Sequence, residues 1–153
     1  MTMVAVEMLA PAAALVLWSL IVLFWAVITR FSAFAKQGVS ISSEEARGRR
    51  GADLNGVLPD KTMWKSHNYD HLMENPTIFY PAVIILALVG ATQLDVGLAW
   101  AYVILRIVHS LWQGLVNTLP VRATLFSLTN VCLLILAIRA VMATMGAVLG
   151  GAS

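Results

Sequence analysis

Two runs of this 153-residue chain carry side chains able to do chemistry. The first is Ser66-His67-Asn68-Tyr69-Asp70-His71-Leu72-Met73-Glu74-Asn75. His67, His71 and Glu74 follow one another at spacings of four and three, which on a helix is a single stripe. Pro76 comes next. Inside a helix it removes one backbone hydrogen bond and bends the axis, separating a wet, charged turn from the dry apolar stretch that follows. The second run holds Arg106, His109 and Gln113, again three and four apart, with Asn117 continuing the stripe and Arg122 opening the next element.

Three chemistries are open to these residues. Each arginine can be neutralised by Glu74 or Asp70 and do no more than pin helices together. Arg106, Arg122 and His109 can instead hold the carboxylates of a small acidic ligand, because a guanidinium offers fixed, forked donors. Or His67, His71, Glu74 and His109 can gather a metal, since two histidines four apart on a helix share one ion. Only three histidines exist in the chain, too few for a di-iron hydroxylase with several histidine boxes. No metal is expected.

The elements that must position these groups are set by hydropathy. Hydrophobic residues make up 59% of the chain and charged ones 12%, where a soluble domain carries about 25% charge. The bilayer is therefore the expected solvent. About 20 apolar residues span about 30 Å of hydrocarbon, and four runs qualify: 8–29, 66–92, 96–117 and 121–145. Helix is the required form, because an isolated strand leaves backbone groups unsatisfied in lipid. The second-to-third and third-to-fourth connections are only a few residues long, so neighbouring spans run antiparallel. The expected fold is all-α: an integral membrane, four-helix up-and-down bundle forming one domain over 1–153. No basic residue precedes the first apolar run, which is too long for a cleavable signal, so it reads as a span.

Arg30, Lys36, Arg47, Arg49, Arg50, Lys61 and Lys65 all lie between the first two spans. The positive-inside rule places this loop, about 30–60, in the cytoplasm and both termini on the other side. Ser42-Ser43-Glu44-Glu45 fits a capping box and predicts a short helical turn there. A net charge of +2 gives no reason to expect a nucleic-acid partner. Cys132 is alone and so forms no intrachain disulfide; it reads as a small apolar side chain. Trp18, Trp25 and Trp100 read equally as interface anchors or as lipid-facing bulk. Gly146 and Gly150 have small-xxx-small spacing at the end of the last span.

With four short spans, a charged first loop and two polar stripes, the chain resembles the MAPEG family, the membrane-associated proteins in eicosanoid and glutathione metabolism. The family's second helix shows Arg-Ala-x-x-Asn-x-x-Glu before a proline- or aromatic-containing apolar run. The matching stretch here runs from His67 to Glu74, then Asn75-Pro76-Thr77-Ile78-Phe79. Glu74 is kept, His67 replaces the arginine and His71 the asparagine. Arg106-Ile107-Val108-His109 resembles the Arg-x-x-His of the microsomal prostaglandin E synthase and microsomal glutathione transferase branch. Gln113 and Phe126 stand where that branch has tyrosines.

The resemblance implies a homotrimer that binds glutathione between subunits toward the cytoplasmic side and uses it on lipophilic electrophiles or hydroperoxides. Arg122 takes the place of the arginine that acts on the glutathione sulfur. Arg106 and His109 are expected at its carboxylates, Glu74 at its ammonium, and Arg30, His67, His71 and Gln113 around the same pocket. The departures from the motif leave a second expectation open. The chain can be a catalytically silent subunit that binds membrane lipid or quinone, or that stabilises a larger membrane complex.

Overall fold

The computed structural model describes residues 2–37, 53 and 56–150. They form five helical segments: α1 (Met3–Gln37), α2 (Asp60–Glu74), α3 (Pro76–Val89), α4 (Gln93–Leu115) and α5 (Leu119–Gly150). The capping turn expected at residues 42–45 lies outside the described residues, as does most of the first loop. Asn75 separates α2 from α3 with helical dihedrals (φ −70°, ψ −40°), so the two are one span with a break placed by Pro76 at the first position of α3. Four segments are then long and apolar enough to cross a bilayer: Met3–Lys36, Asp60–Val89, Gln93–Leu115 and Leu119–Gly150.

The four spans sit at the corners of a square. α1 packs on α2–α3 and on α4, α5 packs on α3 and on α4, and α1 and α5 scarcely touch. The buried positions explain this packing. On α1 they include Met8, Leu15, Ser19, Val22, Ala26 and Ala33, at spacings near seven and three or four. That is the narrow seam of a left-handed bundle. α5 repeats the pattern with Thr129, Leu133, Leu136 and Ala140. The seams meet in one apolar core that includes Phe79, Val83, Leu86, Ala99 and Val103.

One diagonal of the square is polar. α2 also reaches α4 directly, and there the side chains are Asn68, Ser110, His71 and His109. Asn68 Nδ2 donates to Ser110 Oγ at 2.9 Å, and both residues are buried. Gly114 permits the close approach of α1 at this level, since a Cβ there would stand 2.9 Å from the Trp25 ring.

The helix ends are tied by local chemistry. Thr92 caps α4, and Asp95 three residues on accepts back from the Thr92 N–H at 2.8 Å, a reciprocal capping box. The same carboxylate is bonded to Arg139 of α5. Arg139, which lies deep in the fourth apolar run, is thus matched by an acid at the start of α4. At the opposite end Asn117 closes α4 with φ +60°, a left-handed conformation that asparagine tolerates.

Candidate functional site

The buried face of α4 carries the candidate site. Arg106 is 0% exposed, His109 and Gln113 3% each. They share a face because the spacings of three and four return to one side of a helix. Arg106 is held from its own helix: its Nε donates to Tyr102 Oη at 3.3 Å, one turn back. Tyr102 is in turn locked by stacking on Phe79, with centroids 4.2 Å apart and planes 11° from parallel. The guanidinium carbon lies 5.7 Å from the Tyr102 ring and 5.9 Å from that of Phe126. Cation–π attraction adds to its hold there.

The far side of this guanidinium is bare. Arg106 Nη1 and Nη2 are buried and make no hydrogen bond. Neither Glu74 nor Asp70 neutralises the charge, so that reading does not describe Arg106. Gln113 Oε1, further along the same face, is likewise buried and unpartnered. Buried polar atoms are nearly always bonded, and a bare buried charge is costly. These atoms fit a guest that brings an anion to Arg106 and a donor to Gln113.

Other spans complete the cluster. The His71 ring of α2 lies 5.2 Å from that of His109 and 5.3 Å from that of Phe126. Arg122, at the start of α5, donates from Nη1 to Asn117 Oδ1 at 2.8 Å, while its Nε is buried and unpartnered. Phe126, one turn along α5 from Arg122, packs on His71 and lies beneath the Arg106 guanidinium, so α5 closes the cluster through that ring.

Three expected residues lie outside the buried face of α4. His67 and Glu74 are on the same stripe as His71 and are exposed. Arg30 donates from Nη2 to Ser66 Oγ at 2.7 Å and lines a different hollow, between α1 and α2. Among the described residues no group of three or more His, Cys, Asp or Glu is arranged to hold a metal.

Sequence reasoning missed Tyr102, Asn68 and the second duty of Asn117. Tyr102 was legible, because it lies one turn before Arg106 on the same face. The Asn68–Ser110 bond was not, since 42 residues separate its ends. An apolar groove of about 380 Å³ also runs between α3 and α5, bounded by Ile78, Ala82, Ile85, Ala137 and Val141.

The described residues thus form a four-span apolar bundle with one wholly buried arginine, Arg106, on its inner face. The MAPEG family model matches residues 8–142, and the chain belongs to that family, the membrane-associated proteins in eicosanoid and glutathione metabolism. It is an integral membrane protein. Comparison with curated proteins and with solved structures gives no match.

Proposed function

We propose that the chain is a glutathione-dependent transferase or peroxidase of lipophilic electrophiles, of the prostaglandin E synthase and glutathione transferase type. It would act as a homotrimer with the site toward the cytoplasmic side. One observation carries the reading: Arg106 is wholly buried, permanently charged, and bare at both terminal nitrogens. Two parallel N–H donors match a carboxylate. Arg106 and His109 would hold the carboxylates of the tripeptide. Gln113 Oε1 would accept an amide N–H. His71 and Phe126 would wall the pocket on the α2 and α5 sides.

Bound glutathione supplies a thiol, which behaves like a cysteine with a pKa of about 8.5 in water. Arg122 would favour its ionised form, because a nearby guanidinium stabilises a thiolate and the first turn of α5 does so too. Asn117 aims that guanidinium through its 2.8 Å bond. The apolar groove between α3 and α5 would admit a lipophilic partner from the bilayer.

A second reading has one observation in its favour. Phe126, packed on His71, puts a plain ring where the resemblance to the synthase branch implies a tyrosine. The chain would then be a silent member of the family that supports a larger membrane complex. Two measurements separate the readings. Glutathione at 100 times its Kd should stabilise the purified protein by about 2.7 kcal/mol, and the protein should conjugate glutathione to a small electrophilic aromatic. No shift in melting, with a stoichiometric partner recovered from detergent extracts, would favour the silent subunit. Conjugation that survives Arg122→Ala undiminished would reject the role given to Arg122.

A further inference from the structure

We propose that the furrow between α1 and α2–α3 holds one zwitterionic membrane lipid, a glycerophospholipid whose headgroup joins a phosphate to a primary ammonium. The furrow consists of two adjoining hollows. The first, of about 370 Å³, is lined by Arg30, Ser66, Tyr69 and Asp70 together with apolar residues of α1. The second, of about 190 Å³, is lined by Val16, Leu20, Met73 and Tyr80, and shares Tyr69 with the first. A charged chamber thus leads through one aromatic wall into an apolar one.

The charged chamber has two signs. Arg30 Nη2 is taken by Ser66, which is itself 4% exposed, but Arg30 Nε is buried with no partner. Asp70 faces the same hollow. Arg30 and Asp70 form no ion pair with each other. Opposite charges that line one hollow without meeting leave each free for a complementary group. A phosphate suits the guanidinium and an ammonium suits the carboxylate. A purely anionic headgroup would satisfy Arg30 and be repelled by Asp70.

Depth agrees with this assignment. Lys65 Nζ sits 5.7 Å from the Trp25 ring and 5.9 Å from the Trp64 ring. Tryptophans and snorkelling lysines mark the headgroup layer. Leu20 is ten residues before Arg30 on α1, which places the apolar hollow about 15 Å further into the bilayer. An acyl chain runs in that direction, whereas a soluble zwitterion would have no use for the second chamber. The site is separate from the α4 cluster, because His71 and Asn68 turn to α4 while Tyr69 and Asp70 turn to α1.

Native mass spectrometry of the full chain, released from detergent and titrated with phosphatidylethanolamine or phosphatidylglycerol, tests the assignment. Phosphatidylethanolamine should bind more tightly than phosphatidylglycerol at equal concentration. Arg30→Gln should weaken it about tenfold, the scale of one charge-assisted contact. Asp70→Asn should erase the preference by letting phosphatidylglycerol rise. Equal or better binding of phosphatidylglycerol to the unaltered protein overturns the proposal, and that comparison needs no variant to fold. So does phosphatidylethanolamine binding that neither substitution changes.

Discussion

At the scale of single residues, Arg106 carries the most information because its surroundings are incomplete. Tyr102 holds one nitrogen and two remain bare in a buried setting. A bare buried charge carries a desolvation cost that an apolar residue of similar length does not. Arg106→Met should therefore raise the melting temperature of the ligand-free protein and at the same time abolish stabilisation by glutathione. Thermal melts with and without the tripeptide read both effects. A variant that melts lower and still responds to glutathione would remove Arg106 from the binding site. The position of Arg106 was legible from its spacing to His109 and Gln113. Its missing counter-charge was not, because the stripe that carries Asp70 and Glu74 and the stripe that carries Arg106 suggest a pairing across spans that packing did not make.

At the scale of elements, the ends of the helices do the positioning. Asn117 closes α4 in the left-handed conformation and its side chain then holds Arg122 of α5. One short turn thereby couples a helix stop to a candidate catalytic group. At the far end, Asp95 completes the cap of α4 and bonds Arg139. Asp95→Ala removes the acceptor of the Thr92 N–H and the partner of Arg139 Nε, leaving both donors unpaired. The variant should unfold at lower denaturant, and Asp95→Ala/Arg139→Ala should cost less than the sum of the single changes, since the two residues are coupled. Additive losses would show that the bond contributes nothing. The break at Asn75 belongs to this scale as well. Pro76 made it legible, and the helical dihedrals of Asn75 let α2 run into α3 as one span.

At the scale of the whole molecule, the square of four spans leaves long apolar faces turned outward, with Leu17, Phe24, Ile28, Leu134, Ile138 and Met142 all exposed. In a bilayer these faces meet lipid or other subunits. The proposed homotrimer predicts three chains per particle in native mass spectra and in cross-linking from mild detergent. A monomer that binds glutathione with undiminished affinity would show that the α4 cluster needs no neighbour.

Composition and periodicity settled the solvent, the number of spans and the faces of α4, because a helix in hydrocarbon has to satisfy its own backbone and sort its side chains by angle. Those are local demands, and they are written in runs of about twenty residues. Which opposite charges meet was decided by three-dimensional packing. Asp95 found Arg139 44 residues away, Asn68 found Ser110, and Arg30 turned to Ser66, while Arg106 met no acid. Such pairings depend on the rotation and depth at which each helix docks, and no spacing along a single helix encodes them.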